Sequence, residues 1–156
     1  MTTINTASRL VTYGAAAATP LVTPETDVSQ FSTATLKSLS LTDITRLSTS
    51  QVIQIDAANM AYLSGSQLAA FSTQQIQAMT EPQVTALSST QLQSLTARQV
   101  TALSVEQLNA ISTSKISALK ATQISSISTD VLSGLDNGEL QNLTASQIQA
   151  LTTDQI

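Results

Sequence analysis

Apolar side chains recur along most of the chain with a period of eight residues. From Phe31 onward the sequence divides into octads without insertion or deletion, and residues 31–156 hold fifteen complete octads and six residues of a sixteenth. Positions 1 and 6 of every octad are apolar, and position 8 is usually small. We expect positions 1 and 6 to form one continuous core. The residues chosen to represent this core are Leu47, Val52, Leu63, Leu68, Leu87, Leu92, Leu103, Leu108, Leu143 and Ile148.

Polar residues at positions 2 and 5 follow the same period. Position 2 is Ser, Thr or Asp in every octad except the one with Lys120, and position 5 is most often Gln. Ser or Thr followed three residues later by Gln or Glu is the capping box that starts a helix, and the flanking apolar pair forms a hydrophobic staple. Each octad therefore predicts a helix whose N-cap is position 2. The predicted capping pairs are Ser48 and Gln51, Ser64 and Gln67, Ser88 and Gln91, Ser104 and Gln107, and Asp136 and Glu139.

The period also distinguishes between architectures. An α-helix turns by about 100° per residue, so an eight-residue repeat would spread the apolar side chains around one long helix. We therefore predict an all-α solenoid in which each octad contributes one helix of roughly six residues, with about two or three octads per superhelical turn. A β-solenoid with octads as half-coils is the alternative. The scarcity of Gly and Asn at fixed turn positions disfavours it.

Several octads depart from the capping pattern, among them the one with Asp56 and Asn59 in the box positions. Lys120 and Val131 each remove one partner of a box. Asp136 and Glu139 replace both partners, and they can be interpreted either as a pair of carboxylates for acid–base chemistry or as a box in register with the others. The register favours the capping interpretation, and we expect no catalytic residue in this chain.

Composition excludes several kinds of chemistry. The chain has no His and no Cys, which removes imidazole bases, thiol nucleophiles, disulfides and the ordinary zinc ligands. Six basic residues against ten acidic ones give a net charge of −4, which is unsuited to neutralising phosphates. We expect no cofactor, no bound metal and no nucleic-acid partner.

The repeat divides the chain into two segments. Residues 1–30 do not follow it and are predicted to cap or bridge the solenoid, whereas residues 31–156 form the repeat tract. Ile156 occupies position 6 of the last octad, where a solenoid ordinarily needs a polar cap, so we expect either that the repeat continues in a longer chain or that another copy covers this end. We therefore expect homo-association through open solenoid ends. A glycan or protein ligand is left unidentified.

The N-terminal residues lack the features of a secretory signal. Polar residues and Arg9 interrupt residues 1–22, and no segment approaches the roughly 18 apolar residues that a membrane helix needs. The sequence thus predicts neither a Sec-type signal nor a membrane span.

Octads such as the one from Leu143 to Ala150 resemble the tandem LTxxQIxAL tracts of very large, low-complexity bacterial proteins that are exported or displayed at the cell surface. The resemblance covers about four fifths of the chain. It implies a non-catalytic structural scaffold, an adhesin-like solenoid of a surface or extracellular fibre, and an extracellular or surface location, with the cytoplasm as the alternative. A multivalent module that binds a protein, glycan or surface ligand is the alternative function. One octad also resembles the opening of the repeats in plant-pathogen DNA-binding effectors, but their longer period and basic character are missing.

Overall fold

The computed structural model describes residues 20–156 of the chain, apart from the side chain of Thr113. These residues form fifteen short α-helices between two 3₁₀ helices, and they contain no β-strand. The all-α prediction is therefore confirmed, and the β-solenoid alternative is not supported. The elements are η1 (Val28–Gln30), α1 (Thr33–Ser38), α2 (Leu41–Arg46), α3 (Thr49–Gln54), α4 (Ala57–Met60), α5 (Gly65–Ala69), α6 (Thr73–Ala78), α7 (Glu81–Ala86), α8 (Ser89–Ser94), α9 (Ala97–Thr101), α10 (Val105–Asn109), α11 (Thr113–Ile116), α12 (Ala121–Ile124), α13 (Thr129–Ser133), α14 (Asn137–Gln141), α15 (Ala145–Gln149) and η2 (Thr153–Gln155).

Each helix occupies one octad because the repeat supplies both a start and a stop. At the start, the N-cap Ser88 is extended, with φ −73° and ψ 162°, before α8 begins. At the stop of the preceding helix, Leu87 is also extended, and its N–H donates to the carbonyl of Val84 at 3.1 Å. Two extended residues, at positions 1 and 2, therefore form the corner between successive helices.

Three octads make one superhelical turn, which we call a coil. The helices that pack most closely are three apart in the chain, as α3 is from α6, α4 from α7 and α5 from α8. The same spacing recurs near the C-terminus, where α12 packs on α15. A coil therefore spans 24 residues, and equivalent positions in successive coils lie next to each other.

The core is a single column of side chains from positions 1 and 6. Position 6 side chains such as Leu68, Leu92 and Leu108 are completely buried, and position 1 side chains such as Leu63 are nearly so. Of the ten residues predicted to represent the core, nine are buried. The column is continuous from Val22 to Leu143.

Ile148 is the exception, and its prediction as a core residue is wrong. Its side chain is 51% exposed, and the position 6 side chains become more exposed along the last coil, from 5% at Leu132 through 37% at Leu140 to 90% at Ile156. A position 6 side chain is covered by the coils on both sides of it. Helix α15 packs on α12, but no described helix covers its other side.

The described part of the N-terminal segment joins the same core. Val22 and Val28 are buried, and η1 packs on α3, which lies one coil later. The remainder of the predicted cap, residues 1–19, lies outside the described residues.

Candidate functional site: a glutamine ladder between coils

The predicted capping pairs with Ser and Gln form closed boxes. In the box before α5, Gln67 N donates to Ser64 Oγ at 3.2 Å, and Ser64 N donates to Gln67 Oε1 at 2.8 Å. The boxes of Ser48 with Gln51, Ser88 with Gln91 and Ser104 with Gln107 have the same two bonds. Only the oxygen of each Gln side chain is used in this way.

The amide nitrogen of the same side chain reaches the preceding coil. Gln67 Nε2 donates to the carbonyls of Leu36 at 2.8 Å and Leu39 at 2.9 Å, which lie 31 and 28 residues earlier. Gln67 is only 4% exposed. One side chain therefore starts its own helix and ties that helix to the coil before it, in a water-excluded position where an unpaired donor would be costly.

This arrangement repeats along the solenoid. Eight position 5 glutamines donate to the carbonyls 31 and 28 residues earlier, and we call them the ladder glutamines. They are Gln67, Gln75, Gln83, Gln91, Gln99, Gln107, Gln123 and Gln147. Nearer the ends, Gln51 donates to Thr23 and Thr26, and Gln155 donates to Ser125 and Ile127.

The ladder was missed by reasoning from the sequence, although the sequence contains a signal for it. Glu and Gln serve equally well as the acceptor of a capping box, yet Gln fills ten of the sixteen position 5 sites and Glu only one. Only the amide carries two N–H donors in addition to its oxygen. The preference for Gln over Glu therefore indicates that the far end of the side chain must donate.

Two substitutions at position 5 preserve the donor. Lys115 Nζ donates to the carbonyl of Thr85 at 2.6 Å, 30 residues earlier. Asn59 is one methylene shorter than Gln, and its Nδ2 reaches only the carbonyl of Phe31, at 3.4 Å. Both side chains still bond across the coil interface, so donation to the preceding coil is the property that they share with Gln.

The predicted box of Asp136 and Glu139 does not form, which corrects the capping interpretation of this pair. Asp136 makes no side-chain capping bond, and its N–H donates to Asn109 Oδ1 at 3.3 Å. A box made of two carboxylates would bring like charges together, which disfavours it. Glu139 is nevertheless 6% exposed, and its Oε2 is buried with no hydrogen-bond partner among the described residues.

Asp43 also places a carboxylate at position 5, but both of its oxygens accept hydrogen bonds. Its Oδ2 accepts from Ser40 N and Ser40 Oγ, at 3.0 and 2.6 Å, and its Oδ1 accepts from Val22 N at 3.3 Å. Burial raises the pKa of Asp43, but the bonds from Ser40 and from the N–H groups of Val22 and Leu21 outweigh that effect and lower the pKa overall. Here the chain segment beneath position 5 presents N–H groups instead of carbonyls, so an acceptor replaces the amide.

Position 7 side chains make a second set of bonds between coils, at the surface. Thr85 Oγ1 donates to the carbonyl of Ala110 at 3.0 Å, and Thr101 Oγ1 donates to that of Ser126 at 2.9 Å, each 25 residues ahead. Gln93 and Asn109 donate in the same way to Ala118 and Gly134. Adjacent coils are therefore joined inside by position 5 and outside by position 7.

The surface offers a shallow acidic groove where α7 and α10 lie side by side, lined in part by Glu81 and Glu106. A hydrogen bond from Ser104 and the backbone N–H of Glu106 itself lower the pKa of Glu106. Within residues 20–156, no group of three or more acidic side chains is arranged to hold a metal ion. In the same part of the chain, none of the helices is both long and apolar enough to cross a membrane.

Comparison with known proteins identifies the repeat. Residues 52–89 match the family model described as the ALTTAQ repeat. The six letters correspond to octad positions 8 and 1 to 5, as in the segment from Ala78 to Gln83. No curated protein and no solved structure matches the chain. The match supports a tandem-repeat tract, in agreement with the periodic short helices.

Proposed function

We propose that the chain is a non-catalytic structural scaffold, an extended solenoid of a bacterial surface or extracellular fibre. The observation that carries this proposal is the location and bonding of the most regular polar residues, the ladder glutamines. All eight are buried and bond to the preceding coil. The most regular polar side chains of the repeat therefore join each coil to the preceding one. This arrangement favours a long, stiff scaffold over a ligand-binding or catalytic surface.

Self-association is the second element of the proposal. Leu140, Ile148 and Ile156 place exposed apolar side chains on the last described coil. An exposed apolar patch on a repeat unit favours contact with a further protein surface. We propose a second copy as the partner, in accordance with the expected association through solenoid ends. A surface location is supported by the resemblance of the octads to exported bacterial tracts.

The experiment that tests the scaffold exchanges one coil for another. Residues 63–86 are replaced by a duplicate of residues 87–110, which keeps length, register and ladder glutamines but changes the outward side chains. A scaffold keeps its helix content, its particle length in electron microscopy and its display on intact cells of the native host. A module that binds through these coils loses function in the exchanged variant while its fold remains, and that outcome would contradict the proposal.

A deletion provides the matched control. Removing residues 63–86 takes out one whole coil, so the particle should shorten by about 10 Å, the distance between packed helices, and remain folded. Removing residues 63–66 takes out half an octad and breaks the eight-residue register on which the capping boxes and the ladder glutamines depend. The free energy of unfolding should fall far more for this shorter deletion than for the longer one.

A further inference from the structure

The interfaces between coils are not equally bonded. We use the term seam for the interface between the octads of residues 103–126 and those of residues 127–150. The three position 5 residues that face the earlier coil across the seam are Val131, Glu139 and Gln147. Val131 has no donor, and Glu139 Oε2 has no partner, so Gln147 alone makes the inner bonds, to Ile116, Ser117 and Leu119.

The two interfaces that precede the seam keep their donors. Between residues 55–78 and 79–102, all three position 5 residues are ladder glutamines. Between residues 79–102 and 103–126, two are ladder glutamines and the third is Lys115, which also donates. Of these three interfaces, the seam is therefore the one at which two neighbouring octads in succession lose the inner bond.

Closing the seam has an energetic cost, because it buries hydrogen-bond acceptors that have no donor. The register of the ladder places the carbonyls of Leu108 and Ile111 opposite Glu139, at 31 and 28 residues earlier. Among the described residues, neither carbonyl accepts a side-chain bond, and the buried Glu139 Oε2 has no hydrogen-bond partner. The carbonyl of Leu108 accepts from the backbone N–H of Ile111 at 3.0 Å, whereas that of Ile111 accepts no backbone bond from the described residues. Buried acceptors without donors are penalised relative to the same groups in water. Opening the seam would expose to water the two acceptors that lack a donor, Glu139 Oε2 and the carbonyl of Ile111.

What holds the seam closed lies partly at the surface. Asn109 Nδ2 donates to the carbonyl of Gly134 at 3.2 Å, and Asn109 Oδ1 accepts from Asp136 N at 3.3 Å. Leu132 and Leu135 remain buried beneath this contact. The seam is thus held closed by apolar packing, by the hydrogen bonds of Gln147 and by the surface hydrogen bonds of Asn109.

We propose that the seam is a hinge built into the solenoid, at which residues 127–156 open as one unit before any other coil separates. The inference goes beyond the scaffold function and does not depend on it. It gives an otherwise uniform rod one position at which it bends or yields.

Native-state hydrogen exchange on the full chain, in urea below the unfolding transition, tests the hinge. Equivalent amides on the two sides of the seam are Leu119 and Ile124 on one side and Leu132 and Leu135 on the other. A step in protection is expected between them, with Leu132 and Leu135 exchanging together. In the V131Q/E139Q variant, which restores both donors, the protection of Leu132 and Leu135 should rise roughly tenfold or more and the step should vanish.

Two control variants test whether the effect is specific to the seam. Asn59→Gln lengthens a donor at another interface, and Glu25→Gln removes one negative charge from an exposed site. Neither control should alter exchange beyond residue 127. The proposal is overturned if protection in the unmodified chain declines smoothly from residue 103 to the C-terminus. It is equally overturned if V131Q/E139Q leaves the protection of Leu132 unchanged.

Discussion

Gln99 Nε2 donates to the carbonyl of Phe71 at 2.7 Å, across the boundary between two coils. The two residues are 28 positions apart, and the same side chain also accepts from Thr96 N at 2.8 Å. Local helix initiation and tertiary packing therefore depend on one amide group. Its loss should affect both at once, which makes position 5 the most sensitive polar site of the octad.

Replacing Gln99 by Glu keeps the capping acceptor but removes the donor to the preceding coil. We expect the free energy of unfolding to fall by about 2–4 kcal/mol, because the carbonyls of Leu68 and Phe71 each lose a donor and a carboxylate is placed against them. Urea unfolding followed by circular dichroism measures the change. Gln74→Glu is the matched control, since Gln74 is exposed at position 4. Equal effects of the two substitutions would show that the ladder bond contributes nothing.

Gly134 provides a test of packing across the seam. A Cβ at this residue would lie 2.9 Å from Val105 Cγ1, closer than side chains tolerate, while the backbone there has φ −90°, which Ala adopts freely. We expect Gly134→Ala to cost about 1–3 kcal/mol by overpacking. Gly138→Ala, at a half-buried site in α14, should be neutral or stabilising by up to about 1 kcal/mol.

The origin of the Gly134 effect can be isolated by a double-mutant cycle. If the clash is with Val105, then Val105→Ala should restore most of the stability lost in Gly134→Ala, and the two substitutions should be strongly non-additive in thermal unfolding. Additive losses would place the cause elsewhere, in the backbone of the turn rather than in contact with the preceding coil.

The sequence predicted local structure better than long-range partners. The positions of Ser88 and Gln91 predict a helix start because the capping box involves residues only three apart. The partners of Gln91 Nε2 are the carbonyls of Met60 and Leu63. They could not be predicted because the number of octads per coil depends on how the helices turn at each corner, which the period alone does not specify.

The two wrong predictions have the same origin. Ile148 has the residue type and register of a core residue, but its burial depends on a neighbouring coil. Asp136 and Glu139 match the box in spacing and in their ability to accept hydrogen bonds, but the register cannot show that Asn109 accepts the N–H of Asp136. In each case the octad pattern describes a residue within its own helix. Burial of Ile148 and capping by Asp136 depend instead on contacts with residues about 25 or more positions away in the chain.

Asp43 should make the N-terminal coil sensitive to acid. Its pKa lies below the ordinary value of 3.8, so the folded state favours the charged form and binds fewer protons than the unfolded state near that pH. The stability that Asp43 contributes is therefore complete above the unfolded pKa and is lost as the pH falls through the folded one. Asp43→Asn should destabilise the chain at pH 7, because its amide would face the N–H groups of Ser40 and Val22.

The measurement is urea unfolding of the unmodified chain and Asp43→Asn between pH 7 and pH 2. The difference in free energy between the two should shrink as the pH falls, since acid removes the same interaction that the substitution removes. Asp130→Asn is the control, because Asp130 is exposed in α13. A difference that stays constant with pH would contradict the assigned role of the Asp43 carboxylate.

Ile148 and Ile53 allow the proposed self-association to be tested with unusually close matching, because each side chain is 51% exposed. Ile148 lies on the last described coil, as does the exposed Leu140. Ile53 occupies octad position 7 and belongs to α3, away from that coil. If copies associate through the last coil, Ile148→Ser should weaken the association by about tenfold, since it removes most of one buried isoleucine from the contact. Light scattering over a range of protein concentrations measures the effect. Ile53→Ser should leave association unchanged, and equal weakening by both substitutions would mean that the contact is unspecific.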